Sequence, residues 1–445
     1  MFQYILTEIN RFITTESKKI IRNIGWLFFD KVFRMGMALL VGAWVARYLG
    51  PTQFGSYSYL LATVNIIASF AGLGLDSMVV NEIVNNPQRS STIISTTFTL
   101  RVLSGILSFL ICVCIFFFLK HDEINLFYVG VILALVPIAQ SLNTIEFYYQ
   151  AQVASRIAVI SNSIAYILMS ICKIIAILSG ATLMVFAAIT SIEIMLGGLF
   201  MLGSYRKMSK QHLTFAIDKA LAKYLLQKSW PLIFAGFMIT IYMRIDQIML
   251  GEMVNDYAVG TYSAALKLSE IWYFLPAIIC TSFFPSIIEA KKLGQEVYFR
   301  KFQRLFDMLF FMSVSIALLV TFSSGLIIDI LYGDQYTDAA LILAIHIWTA
   351  VFVFLGVASS NFFIIENLQI KSFTRTAIGA VLNIVLNLIL IPRYFAIGAA
   401  ISTLISQFCS AYLFDLLSRK TRILFAMKTR ALFAVNLINR IVMKS

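Results

Sequence analysis

A chain of 445 residues, 60% of them hydrophobic and only 13% charged, is not an ordinary soluble globule, in which about half the residues are apolar and about a quarter charged. At roughly 20 apolar residues per crossing, its length predicts an all-α integral membrane protein of about 12 transmembrane helices. The long unbroken apolar runs exclude a transmembrane barrel, whose strands are shorter and alternate in polarity.

Residues 1–22 mix Lys18, Lys19 and Arg22 with Phe2, Ile5, Leu6, Ile9, Phe12 and Ile13. That pattern predicts a helix lying in the membrane interface rather than a cleavable leader, with the first span as its own insertion signal. Spans follow at 25–47, 54–74, 93–119, 124–145, 157–179 and 182–203, then at 229–251, 262–284, 305–331, 339–365, 372–391 and 396–418. Connectors are short except 204–228 and 285–304. The basic connector 204–228 separates an N-terminal lobe, 23–203, from a C-terminal lobe, 229–418, each of six spans. The tail 419–445 carries seven cations and no acid among apolar residues, which predicts a basic amphipathic helix on the inner leaflet.

Twenty-six of the 35 Lys and Arg fall in the termini and connectors of one side; only Arg47, Lys120 and Arg393 fall on the other. By the positive-inside rule both termini are cytoplasmic. The opposite connectors are acidic, with Asp122, Glu123, Glu252, Asp256, Asp329, Asp334 and Asp338. Topology and attraction to membrane lipids thus account for most of the net charge of +13, which argues against a nucleic-acid partner. The five cysteines, Cys112, Cys114, Cys172, Cys280 and Cys409, lie inside apolar runs, so they read as small buried hydrophobes rather than a disulfide framework or metal site.

The two halves look like copies. Trp26 opens the first span as Trp230 opens the seventh, and Leu49-Gly50 closes one as Leu250-Gly251 closes the other. Phe54-Gly55-Ser56-Tyr57-Ser58 then echoes Val259-Gly260-Thr261-Tyr262-Ser263. Such symmetry is characteristic of transporters that expose a site between two bundles alternately to each side.

Six cations remain inside the spans: Lys31, Arg34, Arg101, Lys173, Arg244 and Lys267, accompanied by four acids, Asp30, Glu193, Asp246 and Glu270. Each would cost several kcal/mol facing lipid, so they should face a bundle interior or aqueous cavity of net positive charge. At about 1.5 Å of rise per residue, Lys31, Arg34 and Arg101 lie within about 15 Å of the inner surface. Lys173 and Arg244 lie more than about 20 Å in, and Lys267 in the outer third. Graded cations suit an anion crossing the bilayer. The alternative is structural pairing, strongest for Asp30 with Arg34 and Lys267 with Glu270 at helical spacing. Glu193 reads equally as a proton or sodium site or as a partner for a nearby cation. Trp272 and Tyr273 beside Pro276 suit sugar stacking but favour packing; Pro137 and Pro276 can break their helices.

The nucleotide P-loop, His-Glu-x-x-His and Gly-x-Ser-x-Gly patterns are all missing, and His121, His212 and His346 are scattered. No catalytic residue, cofactor or resident metal is therefore assigned, and a glycan polymerase or transferase is a minor alternative.

Leu49-Gly50-Pro51-x-x-Phe54-Gly55-x-Tyr57-Ser58, Tyr242-x-Arg244-Ile245-Asp246-Gln247-Ile248-Met249-Leu250-Gly251, Val259-Gly260-x-Tyr262-Ser263-Ala264-Ala265 and Leu331-Tyr332-Gly333 resemble polysaccharide flippases of the O-antigen (Wzx) type. So does 379–400, with Asn383, Asn387, Ile391-Pro392 and Gly398-Ala399-Ala400; Phe395 departs from a glycine common there. The resemblance, over about residues 20–418, implies a bacterial inner-membrane member of the multidrug/oligosaccharidyl-lipid/polysaccharide (MOP) exporter superfamily. It implies a MATE-like fold of two six-helix lobes around a central cavity. It further implies transfer of an undecaprenyl-diphosphate-linked oligosaccharide from the cytoplasmic to the periplasmic leaflet, coupled to H+ or Na+ and working beside other glycan-assembly proteins. The runner-up is an ion-coupled exporter of small cationic drugs, which would need a predominantly acidic cavity.

Overall fold

A computed structural model of the protein describes residues 15–120, 122–209 and 213–433, the side chains of 15–24 and 27–31 excepted. Most of the expected N-terminal interfacial segment, the end of the basic tail, His121 and His212 lie outside the described residues, as do the side chains of Asp30 and Lys31. All regular structure among the described residues is helical, and ten helical stretches are long and apolar enough to cross a membrane.

Two of the ten, Val32–Asn85 and Gln369–Leu417, run to 54 and 49 residues, each long enough for two crossings at roughly 20 residues apiece. The first contains α1 (Thr15–Ala71), which bends at Gly50, φ 72°, immediately before Pro51. Glycine enters that region without steric cost, and the proline that follows donates no hydrogen bond to prolong the first segment. The bend falls between the first two expected spans. The second stretch contains the helix Gln369–Ala411, which bends at Phe395, φ 51°, three residues after Pro392. Here a bulky residue holds a conformation that costs of order 1–3 kcal/mol.

The chain divides into two compact units, Met1–Val45 with Thr63–Phe237, and Ala46–Ala62 with Met238–Ser445. Besides its share of α1, the first contains α2 (Asp76–Asn85), α3 (Ser90–Lys120), α4 (Ile124–Leu133), α5 (Val136–Gln140) and α6 (Thr144–Ala151). It continues with α7 (Arg156–Leu178), α8 (Leu183–Ser209) and the beginning of α9 (Lys219–Met253). The expected fourth span is thus three short helices around Pro137. Leu75, Val79, Ile83, Ile93, Ile94, Phe147, Leu221 and Leu225 form a buried cluster. The central connector is folded against it: Thr96 Oγ1 accepts the Asp218 amide at 3.1 Å, and Arg89 pairs with Asp218 at 2.8 Å. Asp218 Oδ1 in turn accepts the amides of Ala220 and Leu221, capping α9.

The second unit contains α10 (Asp256–Glu270), α11 (Phe274–Leu293), α12 (Gln295–Tyr332), α13 (Ala339–His346), α14 (Thr349–Ile365), α15 (Gln369–Ala411) and α16 (Arg422–Leu432). A tight turn at Ile271–Tyr273, just before Pro276, separates α10 from α11. The two copies of the repeated motif meet inside this unit. A Cβ on Gly55 would stand 1.7 Å from the Asp256 carbonyl oxygen, and one on Gly260 would stand 1.9 Å from that of Pro51. Only glycine at both positions permits that backbone approach. Ser56 and Tyr59 donate to Asp256 and Glu252 respectively, beside the crossing.

The described part of the tail, α16, packs on α12 through Leu424, Met427 and Ala431. Lys428 is fully buried with them and donates to Asp415 at 2.6 Å, rather than standing on a solvated polar face.

Candidate functional site

The charges within the spans fall into groups that can be described unit by unit. In the first unit α3 carries Arg101, which is buried. Its Nη1 lies 3.5 Å from Thr144 Oγ1 and its guanidinium 5.4 Å from the Phe147 ring centroid. Among the described residues it forms no ion pair, although Asp76 and Glu146 act on it electrostatically. Lys173 of α7 and Glu193 of α8, 20 residues apart, are joined at 2.7 Å. Lys173 also lies 5.7 Å from the Tyr166 ring, which feels both Glu193 and Arg34.

In the second unit Arg244 of α9 offers both terminal nitrogens to Glu270 of α10, at 3.4 and 3.2 Å. The sequence had matched Glu270 with Lys267 by helical spacing. A guanidinium fork from a neighbouring helix satisfies both carboxylate oxygens better than an ammonium on the same helix. Lys267 instead stands 4.5 Å from the Phe54 ring centroid and remains within electrostatic reach of Glu270. Tyr273 bonds Thr349 at 2.6 Å.

Asp246, two residues beyond Arg244, points elsewhere and is 3% exposed. Its Oδ1 accepts from Asn387 Nδ2, and its Oδ2 from both Tyr262 and Thr403, each at 2.6 Å. Asn387 Nδ2 also reaches Asn383 Oδ1, and Asn383 Nδ2 reaches Thr403 Oγ1, both at 3.3 Å. The cluster depends on the bend in α15. Asn383 and Asn387, four residues apart, share a face of the segment before Pro392, and Thr403 faces them from the segment after Phe395. Asp246 comes from α9 and Tyr262 from α10. No Lys or Arg pairs with this carboxylate among the described residues. Asn387 Oδ1 is buried without a partner.

A buried carboxylate with no counter-charge is expensive even when fully hydrogen-bonded. The two carboxylate oxygens and the Tyr262 and Thr403 hydroxyls on them are hard oxygen groups, suited to a proton or a hard cation rather than to a nitrogen- or sulfur-seeking metal. Of these residues the sequence singled out only Asp246 as ionic. Thr403 escaped notice because an isolated threonine in an apolar span carries no signal of its own. Two asparagines at i,i+4 within such a span, by contrast, are a polar stripe that periodicity alone could have flagged.

A family model described as polysaccharide biosynthesis protein matches residues 20–291. The capsular polysaccharide biosynthesis protein CapF of Staphylococcus aureus is 22% identical over 401 residues, covering 87% of this chain and 96% of CapF. The probable flippase AglR of Haloferax volcanii is 28% identical over 174 residues, 37% of this chain and 36% of AglR. A structure of the lipid II flippase MurJ in an inward closed conformation superposes with a TM-score of 0.70 at 14% identity, covering 94% of this chain and 92% of MurJ. At that identity the likeness concerns the fold alone, that of a multi-pass helical membrane protein.

Proposed function

Since the chain belongs to the polysaccharide biosynthesis protein family, we propose that it is a flippase, not an enzyme. It carries an undecaprenyl-diphosphate-linked oligosaccharide from the cytoplasmic to the periplasmic leaflet of a bacterial inner membrane. In this reading both termini are cytoplasmic, and the lobes at 23–203 and 229–418 alternate in exposing a shared cationic cavity.

The observation that carries the reading is the set of cations held within apolar helices, Arg34, Arg101, Lys173, Arg244 and Lys267 among them. A diphosphate brings two or more negative charges that must be met along its route, whereas its prenyl tail can remain in lipid. Lys31, Arg34, Arg101, Lys173, Arg244 and Lys267 are the proposed contacts. Arg101, which forms no ion pair among the described residues, is the first to engage; Lys173 and Arg244 engage by exchanging Glu193 and Glu270 for phosphate. Asp246 is the carboxylate that takes up the coupling H+ or Na+, with Asp30, Glu193 and Glu270 as further ion-coupling candidates. The names of CapF and AglR support this substrate class. A small-cation exporter is disfavoured by the cations that stand at these positions.

In cells lacking the protein, the lipid-linked glycan is expected to accumulate on the cytoplasmic face, where a membrane-impermeant glycan label cannot reach it in intact spheroplasts. Glycan that remains labelled from outside rejects the flippase reading. Arg101→Ala, Lys173→Ala and Arg244→Ala should each insert normally yet fail to restore outward transfer; full restoration by all three rejects the anion route.

A further inference from the structure

From Asp246 a buried polar seam continues through the second unit. Tyr242, one helical turn before Asp246 on α9, donates to Ser406 Oγ at 3.2 Å and lies 3.4 Å from Ser410 Oγ. Ser406 and Ser410 follow Thr403 down one face of α15. Gly379 keeps that space free of a side chain: a Cβ there would stand 3.1 Å from Ser410 Oγ and 3.2 Å from the Tyr242 ring. One turn further, Arg375 ends the seam, 8% exposed. Its Nη2 reaches the Gly356 carbonyl at 3.3 Å and Ser360 Oγ at 3.4 Å, and its guanidinium lies 5.3 Å from the Phe363 ring centroid. Nη1 has no partner. Asp415, fully buried, acts on Arg375 electrostatically, yet the two form no ion pair. Asp415 Oδ2 holds Lys428, while its Oδ1 is unpartnered.

Hydroxyl-bearing stripes often serve only to pack membrane helices closely. Packing does not account for two buried atoms without a hydrogen-bond partner, Nη1 of Arg375 and Oδ1 of Asp415, on oppositely charged groups at one end of the stripe, since each costs free energy while it stays unmatched. We propose that the seam is the passage of the coupling cation between Asp246 and the cytoplasmic side, and that Arg375 is its gate. The gate is closed in the arrangement described above and opens when Nη1 of Arg375 engages Oδ1 of Asp415. A fixed positive charge in a narrow, low-dielectric passage excludes cations, and pairing it with a carboxylate lowers that barrier. The inference rests on the reading of Asp246 as the coupling site.

The test uses the full chain in proteoliposomes without lipid-linked glycan, under a sodium gradient followed by tracer and, separately, a proton gradient followed by an interior pH dye. The unaltered protein should be tight. Arg375→Gln should leak in one of the two arms, faster by more than about tenfold for loss of a unit charge on the path; the responsive arm identifies the cation. Adding Asp246→Asn should suppress the leak. Tightness of Arg375→Gln in both arms, or a leak indifferent to Asp246→Asn, overturns the gate. Should Asp246→Asn alone leave ion-driven glycan transfer intact, the coupling reading fails instead, and the two failures are distinct. If Arg375→Gln does not fold, the near-isosteric Tyr242→Phe serves, with lipid-linked glycan now added to the proteoliposomes: glycan-dependent cation uptake should slow by about tenfold, the worth of one hydrogen bond, at unchanged half-saturating cation concentration. Unchanged uptake also overturns the proposal.

Discussion

Replacing Asp246 by Asn keeps the shape of the side chain and removes its charge. The Tyr262, Thr403 and Asn387 donors, each 2.6 Å from the carboxylate, then face a group with one acceptor and one NH2. The two hydroxyls can rotate to accept, so the structural cost stays within about 1–3 kcal/mol, offset in part by relief of the buried charge. The larger effect is on cation binding. A cation held at one hundred times its Kd stabilises the folded state by about 2.7 kcal/mol. For a unit of about half this chain, 1 kcal/mol corresponds to about 2–4 °C in Tm, which gives about 5–10 °C. Intrinsic fluorescence of the five tryptophans can follow thermal unfolding in detergent, comparing sodium with choline at fixed ionic strength and scanning pH in parallel. The unaltered protein should gain stability with the coupling ion, and Asp246→Asn should lose that gain while still unfolding cooperatively. Persistence of the full ion-dependent shift in Asp246→Asn refutes the assignment, as does the absence of any shift in the unaltered protein.

Further expectations concern the ion pairs. Glu193→Gln releases Lys173 from its 2.7 Å partner; reconstituted transfer should show KM and kcat both lower by about fivefold, because a half-buried pair worth about 1 kcal/mol no longer competes with phosphate for the ammonium. Lys428→Met leaves the Asp415 carboxylate buried and unpaired and should destabilise α16 by about 3–5 kcal/mol, read as proteolytic release of the tail; the double variant with Asp415→Leu should recover most of the loss. Glu366 lies just beyond the helix Thr349–Ile365. Burial alone would raise its carboxyl, but hydrogen bonds from Lys291 and Tyr298, aided by the Lys291 charge, hold it below the ordinary carboxylate range. A depressed carboxyl contributes stability above its unfolded pKa and loses it as pH falls through the folded one. A pH series of thermal unfolding should therefore show a small acid loss, under about 1 kcal/mol for so exposed a pair, and Glu366→Gln should flatten it.

The helical membrane fold was legible because hydropathy acts along the chain: an apolar run of the right length has few alternatives in lipid. Side-chain partners belong to a different scale. Lys173 and Glu193 meet across the crossing of α7 and α8, Arg244 and Glu270 across that of α9 and α10, and no spacing rule within one helix reaches either pair. Helical spacing offered Lys267 to Glu270 as one alternative, and Lys267 does act on it electrostatically, but the spacing could not show that Arg244 takes both carboxylate oxygens. Arg375 and Lys428 were counted among connector and tail cations because nothing local to their sequence distinguishes a buried base from a solvated one; only the docking of α16 on α12 buries Lys428. The polar cluster was half visible. Asp246 stood out as an acid in an apolar span, whereas Asn383, Asn387 and Thr403 become its shell only after Pro392 and Phe395 fold α15 back on itself.

The neutral pairs are not at odds with a cationic route, because a carrier must release what it binds. A route made of unpaired cations alone would hold a diphosphate too tightly to turn over, so an unpaired first contact such as Arg101 needs paired ones after it. A cation already satisfied by a carboxylate exchanges one anion for another, so capture and release are each close to balance. On the proposed route, Lys173 with Glu193 and Arg244 with Glu270 would make such an exchange, each pair lying between neighbouring helices of its own unit. Phosphate arriving there would leave a glutamate in an apolar span without its partner, and the cation proposed to bind at Asp246, with which no Lys or Arg pairs among the described residues, would supply the compensating charge.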